Sequence, residues 1–177
     1  MKVCVFAAAS NNIDPLYMEA AQQLGSKLAQ QGHQLVFGGG SYGLMGAMAR
    51  GFYQQDGYII SVSPKLFNRA GVLFEGFDEL YLTEDLKQRK EVMLKLSDAF
   101  ITLPGGTGTM DEFFEVYAHN QLGYCNKPLI LYNINGFYDS LYQFLKQACK
   151  EQFISAENME RCLLAGSSGE VLEMLQR

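Results

Sequence analysis

A glycine-rich run at residues 103–112, Leu-Pro-Gly-Gly-Thr-Gly-Thr-Met-Asp-Glu, carries the clearest chemical signal in the chain. A short apolar segment at residues 99–103 precedes it and is typical of a buried strand, and a helical pattern follows it. Gly105, Gly106 and Gly108 let the backbone approach a ligand closely, and the free N–H groups of the new helix then face an anion. The run therefore predicts a phosphate site built from a strand, a glycine-rich turn and a helix N-terminus.

A carboxylate, Glu112, follows directly after this predicted phosphate site. In one interpretation Thr109 caps the helix and Glu112 completes a capping box, which the Thr-x-x-Glu spacing favours. In the other, Glu112 acts on the bound ligand. Glu115 lies one turn further on and shares its helix face. Two carboxylates repel a phosphorylated ligand, so the pair favours a chemical task over a purely structural one.

Arg89 and Lys90 lie on a predicted helix, residues 85–97, that leads into the strand before the phosphate loop. A basic pair of this kind is most often part of a solvated helix face. The alternative is that the helix begins on the ligand side of the sheet, where the pair would meet the phosphate and the carboxylates. Both interpretations stay open from the sequence.

Two further loops follow predicted strands. Residues 38–46 hold five glycines in nine positions, more than one turn needs. Their spacing does not fit G-x-G-x-x-G, and no G-K-[ST] follows, which disfavours a dinucleotide site and a Walker A loop. Ser10, Asn11 and Asn12 follow the first strand and either bind a ligand or form a polar turn. Glycine loops at neighbouring strand ends would enclose a small phosphorylated ligand.

The elements that must position these residues alternate regularly between strand and helix. Short apolar segments predict strands at residues 3–7, 35–37, 58–62, 80–82, 99–103 and 128–132. Helical patterns occupy residues 15–30, 44–55, 85–97, 110–122, 138–150 and 169–175. This alternation predicts an α/β fold, a parallel sheet covered by helices on both faces, in one domain over residues 1–177. Ligands of such sheets bind at the carboxyl ends of the strands.

Composition limits the class of protein. The net charge of −5 and the lack of a basic block argue against nucleic acid as a partner. No apolar run approaches the roughly 20 residues of a membrane span, and the chain opens directly on a strand. The scattered cysteines predict reduced thiols in a cytoplasmic protein, and the two histidines, His33 and His119, suggest no metal cluster.

The motifs together resemble the Lonely Guy family of cytokinin riboside 5′-monophosphate phosphoribohydrolases, formerly labelled lysine decarboxylases. The resemblance rests on Gly38-Gly39-Gly40 with Gly43-Leu44-Met45-Gly46, Arg89-Lys90 with Met93, and Pro104-Gly105-Gly106-Thr107-Gly108-Thr109 with Glu112. It extends to Gln121-Leu122-Gly123, Lys127-Pro128 and Gly136-Phe137-Tyr138, and so covers nearly the whole chain. The sequence offers no context for a pyridoxal-binding lysine, which disfavours the older label.

The resemblance implies a Rossmann-like, doubly wound fold, a homodimer or larger homo-oligomer, and no metal or organic cofactor. It implies hydrolysis of the N-glycosidic bond of a purine nucleoside 5′-monophosphate, with release of the free base and ribose 5-phosphate. Carried over by position, Arg89 and Glu112 would be the catalytic pair. The substrate and its phosphate would be held by Ser10, Gly39, Gly40, Gly43, Met45, Gly46, Lys90, Gly105, Gly106, Thr107, Gly108, Thr109 and Glu115.

The sequence departs from the family pattern in three places. The usual Cys-Gly-Ser-Ser after the first strand is Ala7-Ala8-Ala9-Ser10, the usual Met-His is Leu86-Lys87, and the usual Thr-Trp is Ala118-His119. We expect these positions near the base pocket, where they would bear on the choice between adenine and N6-substituted adenine. A second interpretation is a non-catalytic carrier of a nucleotide or phosphorylated cofactor on the same fold, with Glu112 merely capping its helix.

Overall fold

A computed structural model describes residues 1–69 and 71–176. Its strands are β1 (Lys2–Phe6), β2 (Gln34–Phe37), β3 (Ile59–Pro64), β4 (Glu79–Thr83), β5 (Ala99–Thr102), β6 (Leu129–Tyr132) and β7 (Cys162–Ala165). Its helices are α1 (Pro15–Gln30), α2 (Gly43–Tyr53), α3 (Leu86–Leu96), α4 (Thr107–Gln121), α5 (Asp139–Lys150), α6 (Ala156–Glu160) and α7 (Ser168–Leu175). Two single 3-10 turns, Lys65–Phe67 and Ile134–Gly136, complete the described elements.

The seven strands form one parallel sheet in the order β4-β3-β2-β1-β5-β6-β7. The chain runs outward from β1 to β4 and then returns to place β5 on the other side of β1. Val5 pairs with Ile101 and Phe6 with Thr102 across this reversal. The reversal opens a crevice at the carboxyl ends of β1 and β5, the usual ligand site of doubly wound sheets. The predicted α/β, Rossmann-like architecture is confirmed.

Two apolar cores lie on opposite faces of the sheet. One face is covered by α1, α2 and α7, through residues such as Leu24, Met48 and Val171. The other is covered by α3 to α6, through residues such as Met93 and Phe113. The strand residues that fill both cores are almost fully buried, which explains their near-continuous apolar sequence. The part of the chain that the structure describes contains no helix long and apolar enough to cross a membrane.

Local sequence signals mark where α1 and α3 begin. Asp14 accepts a hydrogen bond from the Leu16 amide, and Pro15 takes the first helical position, so α1 begins where the sequence predicts. Asp85 caps α3 by accepting from the Gln88 amide at 2.8 Å. Capping by Asp85 fixes the start of the helix that carries the basic pair.

Two predictions about elements are wrong. The segment at 128–132 is not the last strand, because β7 pairs with β6 at the sheet edge and the short helix α6 precedes it. The α4 helix begins at Thr107 rather than at Met110, and its N-cap is Gly106. Glu112 therefore lies in the second turn of α4, and the capping box with Thr109 does not form.

Candidate active site

The N-terminus of α4 is open toward the crevice. Gly106 caps the helix without a side-chain hydrogen bond, and Gly106, Thr107 and Gly108 are exposed. Among residues 1–69 and 71–176, the amides of Thr107, Gly108 and Thr109 have no hydrogen-bond partner. A Cβ atom on Gly106 or Gly108 would meet no protein atom within 4 Å, so the backbone here borders open space. This helix end offers amide donors and a positive dipole to an anion.

Gly105 has a different role from the two open glycines. A Cβ atom there would overlap the side chain of Thr109, which is buried. The end of β5 is held by Tyr138, whose hydroxyl donates to the Leu103 carbonyl at 2.6 Å. Burial raises the pKa of Tyr138, so this hydroxyl stays protonated as a donor. These contacts fix the loop from both sides.

A cavity of about 380 Å³ extends from this helix end. It unites loops after β1 and β5 with the start of α3. Most of the predicted site residues line it: Ser10, Met45, Arg89, Lys90, Gly106, Thr107, Gly108, Thr109 and Glu112. Of the residues where the chain departs from the family pattern, Ala7, Ala8, Ala9 and Leu86 line the cavity. Asp111 also lines it, although its sequence position indicates only a surface or cap residue.

Arg89 and Glu112 form an ion pair on the wall of this cavity. Arg89 Nη2 donates to Glu112 Oε1 at 3.0 Å, and the two side chains are only 13% and 10% exposed. The solvated basic face is therefore ruled out for Arg89. Burial raises the pKa of Glu112. The negative charges of Asp111 and Glu115 raise this pKa further, whereas the positive charges of Arg89 and Lys90 lower it. Arg89 Nε is buried without a hydrogen-bond partner in the described structure.

Lys90 forms a second charged cluster beside this pair. Its Nζ donates to Asp111 Oδ2 at 2.9 Å and is also paired with Glu115. Burial lowers the pKa of Lys90, but the hydrogen bonds and charges of Glu115 and Asp111 outweigh burial and raise it overall. Glu115 points to Lys90 rather than into the cavity, and it does not line the cavity.

The second glycine loop shapes the wall mainly by close backbone packing. The amides of Gly40, Gly43 and Gly46 donate to Met45 Sδ, Asn11 Oδ1 and the Tyr42 carbonyl, respectively. Gly43, at φ +60°, leaves no room for a Cβ atom, which would stand 2.7 Å from the Ala9 carbonyl carbon. The loop is thereby tied to the loop after β1, and these three amides are already occupied within the protein.

An apolar pocket of about 300 Å³ adjoins the cavity on the β2–β3 side. The two spaces share Ala9, Met45 and Arg89. Gly40, Phe67, Val72 and Leu73 make the new pocket largely apolar, and the buried Ser63 adds a hydroxyl. The sequence carried no signal for Phe67, Val72 and Leu73 in this pocket, because they lie between β3 and β4, outside the predicted strands and helices.

The remaining predicted residues lie outside the cavity. Gly105 lines a separate space of about 240 Å³ with Tyr17 and Phe137. Gly39, Gly43 and Gly46 line none of the cavities described here. Ala118 and His119 do not line the cavity either, since they lie about 14 Å along α4 from its first turn. Within one chain this pair therefore lies away from the cavity.

Comparison with known proteins decides the family. The family described as "Possible lysine decarboxylase" matches residues 45–175. The probable cytokinin riboside 5′-monophosphate phosphoribohydrolase LOGL6 of Oryza sativa subsp. japonica is 40% identical over 175 residues, covering 99% of this chain and 70% of the relative. The cytokinin riboside 5′-monophosphate phosphoribohydrolase LOG7 of Arabidopsis thaliana is 38% identical, covering 99% and 81%. The chain belongs to the Lonely Guy family.

Solved structures with the same fold include proteins that carry or bind a cofactor. A molybdenum cofactor carrier protein from Chlamydomonas reinhardtii matches with a TM-score of 0.75 at 19% identity, covering 99% of this chain and 98% of that one. A molybdenum cofactor binding protein from Rippkaea orientalis matches with a TM-score of 0.73 at 21% identity, covering 99% and 93%. At these identities the likeness concerns the fold alone, so it does not move this Lonely Guy family member toward a carrier role.

Proposed function

We propose that this protein hydrolyses the N-glycosidic bond of a purine nucleoside 5′-monophosphate, with adenine or an N6-substituted adenine as the base. The products are the free base and ribose 5-phosphate. The observation that carries the proposal is the buried Arg89–Glu112 pair, 3.0 Å apart, on the wall of a cavity whose other end is an open helix N-terminus. Relatives near 40% identity that are named for this reaction support it.

The phosphate binds at the start of α4 in this proposal. The free amides of Thr107, Gly108 and Thr109 donate to its oxygens, and the helix dipole adds favourable charge. Phosphate binding lies away from the bond that breaks, so it supplies positioning energy for the reaction. This explains why the nucleotide, and not the nucleoside, is the expected substrate.

Glu112 acts at C1′ of the ribose. As the C1′–N bond breaks, its electron pair leaves with the base and the sugar becomes cationic, so a nearby carboxylate stabilises the sugar. Water oxygen then bonds to C1′ and Glu112 accepts the proton of that water. The base takes a proton from solvent, and Glu112 returns its proton to solvent, so one water is consumed in each turnover. Burial keeps the pKa of Glu112 raised, which suits a group that must accept a proton near neutral pH.

Arg89 acts electrostatically in this scheme. Its guanidinium is always charged, so it is unsuited to donate a proton to the leaving base. It orients Glu112 through the 3.0 Å hydrogen bond, and its charge lies on the cavity wall beside the bond that breaks. Donors that are already oriented stabilise developing negative charge without reorganisation cost.

The base fits the apolar pocket beside the cavity. With the phosphate on α4 and C1′ near Glu112, the base extends past Arg89 into the space lined by Phe67, Val72 and Leu73. A volume of about 300 Å³ at the low end of small-molecule sites suits a purine ring. The proposal needs no metal or organic cofactor.

We also propose that the protein works as a cytoplasmic homodimer or larger homo-oligomer. Leu122, Tyr124 and Phe153 are 68%, 75% and 82% exposed, and contact between subunits would remove such large apolar side chains from water. Sedimentation analysis of the purified chain measures the mass directly. A monomer at micromolar concentration would contradict this part of the proposal.

The activity test uses pure protein and adenosine 5′-monophosphate. We expect stoichiometric adenine and ribose 5-phosphate by chromatography, and no release from adenosine, which lacks the phosphate. A panel of other nucleoside monophosphates and N6-substituted adenosine monophosphates then ranks the bases. Tight binding of adenosine 5′-monophosphate without base release would favour the carrier alternative.

A further inference from the structure

Gly38 lies directly against the Arg89 guanidinium. It is the first residue after β2, whereas Arg89 is on α3, so the contact joins residues 51 positions apart. A Cβ atom built on Gly38 would overlap Arg89 Nη2 and would stand 2.9 Å from Arg89 Cζ. Nη2 is the atom that donates to Glu112. The absence of a side chain at position 38 thus provides the space for this ion pair.

We propose that Gly38 is a positioning residue for Arg89, required as glycine so that the guanidinium can reach Glu112. The expected effect of Gly38 on catalysis rests on the proposed function, because Gly38 positions a residue of the same site. Gly38 was not among the residues expected to hold the substrate, and it does not line the main cavity.

Backbone conformation is not the reason for glycine at this position. Gly39 and Gly43 have φ of +82° and +60°, which side chains rarely tolerate, but Gly38 lies outside the left-handed region. An alanine there avoids the strain of a left-handed backbone. The requirement is steric, and apart from Met45 Sδ at 3.4 Å the atoms in the way belong to Arg89.

The obstruction at Gly38 also differs from that at packing glycines. A Cβ atom on Gly51 would overlap the Gln22 backbone carbonyl, where α1 and α2 touch, and backbone cannot move aside cheaply. At Gly38 the obstructing atoms are the far end of a flexible side chain. Alanine at position 38 is therefore expected to displace the guanidinium and leave the fold in place.

Displacement of Arg89 has an electrostatic signature. The charged groups around Glu112 are Arg89 and Lys90 on α3 and Asp111 and Glu115 on α4, and the neutral Cys4 thiol on β1 is a titratable neighbour. Burial, Asp111 and Glu115 raise the pKa of Glu112, and Arg89 is the strongest group opposing them. Moving the guanidinium away must raise the pKa of Glu112 further, an effect that a purely structural glycine would not produce.

The test compares Gly38→Ala with Gly169→Ala, a control in α7 whose Cβ atom would stand 3.8 Å from the nearest protein atom. We expect Gly38→Ala to lower kcat on the order of 100-fold, since a misplacement of about 1 Å costs that much. We expect little change in KM, a Tm within a few degrees of wild type, and an acid limb shifted to higher pH. Wild-type kcat and an unshifted limb in Gly38→Ala would overturn the proposal.

A double-mutant cycle with Arg89→Ala removes dependence on the folding of one variant. If Gly38 serves Arg89 alone, Gly38→Ala has no added effect once the arginine is shortened, in kcat or in Tm. A variant that misfolds as Gly38→Ala and folds as Gly38→Ala/Arg89→Ala supports the proposal as well. Additive losses of kcat or Tm, or misfolding of both Gly38→Ala and the double variant, would show that glycine is required at position 38 for another reason. Either result would overturn the proposal.

A carboxyl carbon NMR titration of Glu112 separates this inference from the proposed function. The titration needs no turnover, so it reads the pKa of Glu112 in wild type and Gly38→Ala even if no nucleotide is cleaved. A higher pKa in Gly38→Ala supports the positioning role whatever the reaction is. An equal pKa in both proteins would overturn it while leaving the hydrolase proposal intact.

Discussion

Arg89 and Glu112 meet through a 3.0 Å hydrogen bond although 23 residues separate them along the chain. They come from different helices, α3 and α4, and both side chains are about nine-tenths buried. A buried charge pair is weak support for stability, because desolvation of both ions offsets their attraction. The pair is better explained by a task at the cavity that it borders, and the predictions below test that task.

Glu112→Gln is expected to abolish base release without destabilising the protein. Loss of a general base costs about 10² to 10⁴ in rate. The raised pKa of Glu112 means that the folded state binds this proton more tightly than the unfolded chain does, and glutamine imitates the protonated form. Product analysis and thermal unfolding at pH 7 measure the two effects.

Two controls accompany Glu112→Gln. Glu91→Gln changes an exposed carboxylate on α3 and is expected to leave both activity and Tm unchanged. Glu115→Gln breaks the pair with Lys90 and is expected to lower Tm. A Glu112→Gln protein that unfolds at a lower temperature yet still releases base would identify Glu112 as structural.

As the pH is lowered, kcat/KM is expected to fall with a midpoint above 4.5, which is the ordinary pKa of a glutamate. The reactive form is the carboxylate, so activity is lost as the pH falls through the raised pKa of Glu112. The stability contribution of this group runs the other way. It is fully present below the unfolded-state pKa and is lost as the pH rises through the folded-state pKa. An acid limb at or below 4.5 would show that another group controls the rate.

Gly108→Ala is expected to weaken nucleotide binding while maintaining or raising stability. A methyl group there meets no protein atom within 4 Å and so occupies ligand space, and alanine favours the helix over glycine by about 0.5–1 kcal/mol. Isothermal titration with ribose 5-phosphate measures the affinity. Gly105→Ala is the comparison, because its methyl overlaps Thr109 and should lower Tm. Unchanged affinity in Gly108→Ala would move the phosphate away from α4.

Lys90→Met is expected to destabilise the ligand-free protein by about 1–2 kcal/mol, because Asp111 and Glu115 lose a partly buried partner. That loss corresponds to a drop in Tm of about 2–4 °C per kcal/mol. Because the pKa of Lys90 is raised in the folded protein, its charge stabilises the fold in full at every pH below the ordinary lysine pKa. The effect is therefore present at pH 7.

Lys95→Met provides the matched control for Lys90, since it removes an exposed lysine from the last turn of the same helix. Thermal unfolding without ligand compares the two variants. If Lys90→Met leaves Tm unchanged and only weakens nucleotide binding, Lys90 binds the phosphate and does not hold α3 to α4.

Local pattern was sufficient to predict the α/β architecture and the strand, glycine-rich turn and helix around residues 103–112. Apolar strands that alternate with helices are buried most completely in a parallel sheet covered on both faces. The strand β7 escaped prediction because it has only four residues, and so short an apolar run does not distinguish a strand from a segment of buried helix. The start of α4 was misplaced because Thr107-Gly108-Thr109 has low helix propensity, which the surrounding structure overrides.

The sequence by itself determined which residues are chemically capable: two cations, Arg89 and Lys90, and two carboxylates, Glu112 and Glu115. Only the tertiary structure decided their partners, giving Glu112 to Arg89, and Glu115 with Asp111 to Lys90. It also decided that Gly38 must make room for Arg89. Periodicity reports the local conformation of a segment, whereas pairings across 23 or 51 residues depend on strand order and on how each helix is rotated against the sheet.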